Sequence, residues 1–253
     1  MKTFLFSFKP VVITLVVLIT SIASSHAAVV ATGVDQFLDN DPSAASLVNN
    51  TGQFDIAINF GDDTDATING ITFTGYLADW IPEPFATATS VTGGTGVTVA
   101  AGTSTSGNMR DVANFGLWGG ATFAPLAIDI LDTNTPNQSM NFAISGLDAG
   151  RTYTMQFFSM DGRVLTGFET DITYTLDGVA QTGTITDAAN NLQGMIANFE
   201  VTGETSVNLT VSGAGNIPTP IQGLSITSIP EPSSIVMIGL GGLAMALVLR
   251  RRK

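Results

Sequence analysis

The acidic stretch Gly61-Asp62-Asp63-Thr64-Asp65 gathers three carboxylates, and carboxylate oxygens are the hard ligands that Ca²⁺ takes. Asp35, Asp39 and Asp41 could add further oxygens. The spacing departs from a calcium-binding EF-hand loop, which alternates its acids and ends on a bidentate Glu. A solvated acidic loop is the competing reading of Asp62, Asp63 and Asp65. A second kind of chemistry belongs to Trp80, Trp118 and Tyr76, whose ring faces can stack on the apolar faces of sugars. Trp80 stands beside Pro82-Glu83-Pro84, in an irregular stretch of the sort that carries binding sites on β folds. Packing in the core or beneath a loop is the competing role for both tryptophans.

The residues that are missing narrow the chemistry further. Cysteine is absent, His26 is the single histidine, and no lysine lies between Lys9 and Lys253. Ser-His-Asp and Cys-His catalysis, zinc held by nitrogen or sulfur, and Schiff-base lysines are therefore closed to the segment 28–229. A glycan hydrolase or lyase would need two carboxylates about 5 to 9.5 Å apart, and no motif marks a pair. The chain is expected not to be an enzyme, with no cofactor apart from Ca²⁺ at the acidic loop. The formal net charge is −12. Within 28–229 only Arg110, Arg151 and Arg163 oppose twenty acidic residues, which leaves −17 for that segment. Such a surface repels polyanions and excludes nucleic acid as a partner; each arginine is expected to pair with a surplus Asp.

These groups must be held by strands. Phe54–Phe60 alternates as a half-buried strand does, and Thr67–Thr74 follows it with an Asn69-Gly70 step that reads as a tight turn or a bulge. Met140–Ser145, Arg151–Met160, Thr170–Leu176, Val179–Thr186, Met195–Val201, Ser206–Val211 and Gln222–Ser228 are short β-prone runs separated by Gly, Asn and Asp. Asp177-Gly178 is hairpin chemistry. Val29–Ala31 starts a strand, Val34–Asp41 reads as a turn, and 43–52 reads as a loop. From Thr87 to Gly107 the chain is rich in Thr, Ser, Gly and Ala, with only Val97–Val99 reading as strand and the whole as an exposed edge or a partly mobile loop. Leu126–Leu131 fits a short helix or a strand. The pattern predicts an all-β domain, an antiparallel two-sheet β-sandwich.

The two ends carry addresses. Lys2 and Lys9, the apolar run Val11–Ile22 and the small residues around Ser25-His26-Ala27 form a secretory signal peptide over 1–27. At the other end Pro230-Glu231-Pro232 precedes an apolar run, Ile235–Leu249, and a basic stop, Arg250, Arg251, Arg252 and Lys253. With Ser233 and Ser234 the run predicts one C-terminal transmembrane helix over 233–249, short against the usual length of about 17 to 25 residues. Its four terminal cations orient it tail-inside, with the domain outside. These three parts, in this order at the terminus, resemble the PEP-CTERM sorting signal of bacterial exported proteins. The resemblance implies recognition and cleavage near the tripeptide by an exosortase, and anchoring in the inner membrane beforehand. It also implies release to the cell surface or extracellular matrix afterwards, in a host that makes extracellular polysaccharide.

A second resemblance is spread over the exported segment 28–229. Ile58-Asn59-Phe60-Gly61, Asn69-Gly70-Ile71-Thr72-Phe73, Ile144-Ser145-Gly146-Leu147, Thr152-Tyr153, Phe157-Phe158 and Gln222-Gly223-Leu224-Ser225-Ile226 are similar to malectin-like and galactose-binding-like jelly-roll modules. It implies a jelly-roll-like sandwich and carries over no sugar-binding residue. The expectation is an exported, non-catalytic surface or matrix protein associated with extracellular polysaccharide. Its alternatives are a carbohydrate-binding module with a defined sugar site and a carboxylate-dependent glycan hydrolase or lyase.

Overall fold

The computed structural model describes residues 27–38, 41–60, 65–76, 90–104, 110–113, 123, 126, 129–160, 167–188 and 191–230. They form sixteen strands and one short 3-10 helix. The strands are β1 (Ala28–Leu38), β2 (Gln53–Phe60), β3 (Ala66–Ile68), β4 (Ile71–Tyr76), β5 (Ser90–Thr92), β6 (Thr98–Ser104), β7 (Arg110–Ala113) and β8 (Asp129–Pro136). After them come β9 (Ser139–Ser145), β10 (Arg151–Ser159), β11 (Glu169–Leu176), β12 (Val179–Ala188), β13 (Asn191–Thr202), β14 (Ser206–Gly215), β15 (Pro218–Ile221) and β16 (Gly223–Pro230). The all-β expectation holds.

Thirteen strands share one continuous ladder, in the order β3-β4-β2-β16-β10-β13-β12-β11-β14-β9-β6-β5 with β1 on the second edge of β13. A separate three-stranded sheet runs β15-β8-β7. The long ladder is not flat. Phe157 of β10 stacks on Tyr174 of β11 with ring centroids 5.5 Å apart, although β13 and β12 stand between those strands in the ladder. Phe60 of β2 and Phe142 of β9, seven pairings apart, have centroids 5.6 Å apart. The ladder therefore folds over, and the bend lies at β12–β13, which pair only through Thr186–Ala188 and Asn191–Gln193. The apolar faces that the sequence alternation created meet in this fold: Ile58, Phe73, Phe142, Met155, Phe157, Tyr174, Phe199 and Leu224 are all buried.

Several expectations are corrected. Val34–Asp41 is not a turn: through Leu38 it continues β1, because β13 offers a partner along the whole length, and the irregularity at Gly33 is absorbed as a register shift between Ala31 and Gly33. The loop expected over 43–52 begins as a 3-10 helix, Pro42–Leu47, capped by the Asp41 side chain. β2 is buried on both faces from Asp55 onward rather than half-buried, with the backbone at Gly93 packed against the Asp55 carbonyl. Among the described residues antiparallel pairing fails at one place. β4 slips between β3 and β2, so β2 and β4 run parallel. Asn69 (φ 51°) and Gly70 (φ 79°) form the turn of the β3–β4 hairpin, not a bulge, with the two positive φ values of a type I′ turn. Asp177 (φ 42°) and Gly178 (φ 86°) do the same between β11 and β12. The Thr/Ser-rich stretch supplies two strands, β5 and β6, and lies at one end of the ladder as an edge should. Leu126–Leu131 holds both alternatives, since Leu126 is helical and β8 begins at Asp129.

Candidate functional site

The strand that leads into the C-terminal signal is central, not peripheral. β16 pairs with β10 from Gly223 to Pro230 and with β2 from Gly223 to Ser228. Its residues from Gly223 to Ser228 are buried, and Ile229 emerges at 52% exposure. The end of the strand is clasped by side chains from elsewhere in the chain. One Arg151 guanidinium nitrogen, Nη1, donates to Gln53 Oε1 and to Ser228 Oγ, each at 3.0 Å. Arg151 Nε lies 3.6 Å from Asp148 Oδ2, an exposed pair that contributes little by itself. The Asp148 side chain also accepts the Gly150 N–H at 2.9 Å, and its own N–H donates to the Tyr153 hydroxyl at 2.7 Å. Burial pushes the Tyr153 phenol above its ordinary range, with the Asp148 N–H pulling the other way. Gly52 (φ 93°) passes so close that a Cβ there would stand 2.8 Å from the Ser228 carbonyl oxygen.

A second feature lies where β12 parts from β13. Val34, Gln36, Thr182, Gly183 and Thr184 line an open groove of about 480 Å³ between β1 and β12. Gln36 Nε2 bridges it to the Thr184 carbonyl at 3.1 Å, and the Thr184 hydroxyl donates to Asp171 Oδ1 at 2.6 Å. Chemically it is a row of hydroxyl and amide groups with one carboxylate at its rim.

The expected site residues divide sharply. Asp65 is exposed, and its Oδ1 accepts the Gly75 N–H at 3.0 Å, tying the approach to β3 onto β4. Asp62 and Asp63 lie outside the described residues, as do Trp80 and Trp118. Tyr76 closes β4 opposite Phe60, and its side chain is outside the description. Among the described residues no group of three acidic, histidine or cysteine side chains is placed to hold a metal. Of the expected Arg–Asp pairings, the structure describes that of Arg151 with Asp148. What the sequence did not reveal is the clasp itself. Gln53 and Ser228 lie 98 and 77 residues from Arg151, and only the rarity of arginine hints that this one has a task.

Residues 228–253 match the description PEP-CTERM protein-sorting motif. The chain carries that sorting motif. It belongs to an exported protein that an exosortase processes at the membrane. The matched PEP-CTERM segment begins inside β16, so its first residues, Ser228, Ile229 and Pro230, are rungs of the ladder. Glu231, Pro232 and the basic residues Arg250–Lys253 lie outside the described residues, as does the run 233–249 expected to form a helix. Among the described residues no helix is long and apolar enough to cross a membrane. No curated protein matches the chain.

Proposed function

We propose that this is a non-catalytic structural protein of the cell surface or extracellular matrix, delivered by the segment 1–27, held at the inner membrane by the helix 233–249, and freed by exosortase cleavage near Pro230–Pro232. The observation that carries the proposal is the direct run of a central strand into the sorting motif. The folded β domain is the cargo, and nothing intervenes between cargo and address. The folded-over ladder is read here as a jelly-roll-like sandwich, an architecture that presents loops and grooves to extended polymers. Association with extracellular polysaccharide is part of the same reading.

The test is fractionation of the native host with and without its exosortase. Without the peptidase the full-length chain is expected in the membrane. With it, a form shortened near the tripeptide is expected in the matrix, released by enzymes that digest the polysaccharide. A chain that keeps the same length and the same fraction in both strains sinks the reading. The groove between β1 and β12 favours a narrower second reading, a sugar-binding module, because Gln36, Thr182, Thr184 and Asp171 offer donors and acceptors of the kind that polyols pair with. Binding to a polysaccharide panel that is lost in Thr184→Val, and retained in Trp80→Ala, would place the sugar there rather than on the aromatic loop.

A further inference from the structure

The start of β1 and the end of β16 lie on one row of the ladder. Ala28 is opposite Thr202, Thr202 is opposite Thr152, and Thr152 is opposite Ile229. Three pairings of about 4.8 Å put them about 14 Å apart. The same end of the sheet carries Gln53 opposite Ser228, the 146–150 connection that leads into Arg151, and the turn 203–205. The far end carries Leu38 opposite Gln193, about 30 Å away along β1 at the usual rise per residue. Beyond Pro230 only Glu231, Pro232, Ser233 and Ser234 precede the apolar run at Ile235. Fully extended, that stretch reaches no more than about 18 Å.

We propose that the end of the sheet formed by Gln53, the 146–150 connection, Arg151 and the turn 203–205 faces the lipid headgroups at close range while the tail is uncleaved, and that the Leu38 end points away. This rests on the tail acting as a membrane anchor. Because β16 is zipped between β2 and β10 up to the motif, no slack within the domain lets it tumble over its own tether. The facing surface is held there by the tether and not by affinity. It bears the carboxylates of Asp148 and Glu204, and Arg151 is engaged with Gln53, Ser228 and Asp148. Anionic headgroups within a Debye length of about 8 Å repel such a surface, so cutting the tether releases the domain instead of leaving it adsorbed.

The absence of cysteine makes the test direct. Ala149→Cys and Leu38→Cys place a single thiol at an exposed position on the near and the far end. Full-length chains are displayed on spheroplasts of a strain lacking the sorting peptidase. A small maleimide is expected to modify both, which shows that both expose the thiol, and both are expected to resist limited proteolysis as the parent does, which shows that both fold. A bulky polymer-linked maleimide is expected to modify Ala149→Cys roughly fivefold more slowly than Leu38→Cys, given a gap no wider than about 18 Å. Inserting about thirty Gly/Ser residues after Pro232 should bring the two rates together, since a flexible linker of that length lets the domain rotate freely. Equal rates in the natural-length, membrane-held chain overturn the proposal. Loss of the chain from the membrane on alkaline washing is a separate outcome that removes the anchor, and this inference with it.

Discussion

Single residues at the end of β16 show how closely the cargo is fitted to its address. Gly52 has a positive φ and no room for a Cβ, whereas Gly70 has a positive φ with nothing within 4 Å of a built Cβ. Alanine at Gly70 meets only the left-handed backbone penalty, about 1–2 kcal/mol. At Gly52 the same penalty is joined by an overlap with the Ser228 carbonyl, and overpacking adds about 1–3 kcal/mol. Thermal melts should therefore rank Gly52→Ala well below Gly70→Ala; equal loss would mean that the chain at Ser228 yields freely. Asp41 supplies a pH-dependent contribution of a different kind. The Ser43 hydroxyl and, after it, the Ser43 N–H bind its carboxylate and hold its pKa below the ordinary 3.8. A carboxylate with a depressed folded-state pKa stabilises the fold fully above its unfolded value and loses that contribution as pH falls through the lower one. Asp41→Asn should flatten the fall in melting temperature below about pH 4 relative to the parent, and parallel acid profiles would remove Asp41 from the account.

Between elements, the fold-over is secured by a buried polar chain as well as by rings. The Tyr174 hydroxyl on β11 and the Ser159 hydroxyl on β10 lie 2.5 Å apart, and Ser159 donates to the Pro220 carbonyl of β15 at 2.7 Å. Since Ser159 uses its proton on Pro220, Tyr174 is the donor to Ser159. Full burial pushes the Tyr174 phenol far above its ordinary range, so it stays a donor at any physiological pH. Tyr174→Phe removes one donor and keeps the ring stack on Phe157, a loss of about 1 kcal/mol. Ser159→Ala strands both the phenol and the Pro220 carbonyl in the core and should cost more, about 2–4 kcal/mol for two unsatisfied groups. Chemical denaturation of the two variants distinguishes them, and the reverse order would mean that water reaches this joint.

The same elements mark what a sequence can and cannot disclose. Asn69-Gly70 and Asp177-Gly178 were legible because a hairpin turn is decided by the two residues that make it. The sorting motif was legible because its parts are contiguous. β15 was not, since Pro218 and Pro220 argue against a strand and are tolerated only where the register slips between them. Neither the parallel β2–β4 pair nor the clasp of Arg151 on Ser228 is written in any local pattern, because pairing across the chain decides both.

For the molecule as a whole, the position of β16 sets where the chain can be cut. Among the described residues it is the sole ladder connection between β10 and the β2-β4-β3 group, and its pairing with β10 continues to Pro230. A cut beyond Pro230 removes no described rung, so a chain of residues 28–230 should melt in one transition within a few degrees of the uncut protein. A chain of residues 28–225 loses the rungs from Ile226 onward. Ile226 and Ser228 are fully buried and Thr227 nearly so. Taking away one buried isoleucine costs about 1.5–3 kcal/mol, and each lost hydrogen bond adds about 1 kcal/mol. Against a total stability of about 5–15 kcal/mol for a domain, removing these residues consumes most of what holds the fold. The shorter chain should therefore show no cooperative melt at ambient temperature, and a melt matching that of residues 28–230 would refute the structural role of the end of β16. The sorting peptidase consequently has a narrow place to act. Cleavage a few residues upstream of the match, as after residue 225, would unravel the cargo, whereas cleavage at Glu231 or later releases it folded, so the new C-terminus of the processed protein, read by intact mass, is expected at Pro230 or beyond.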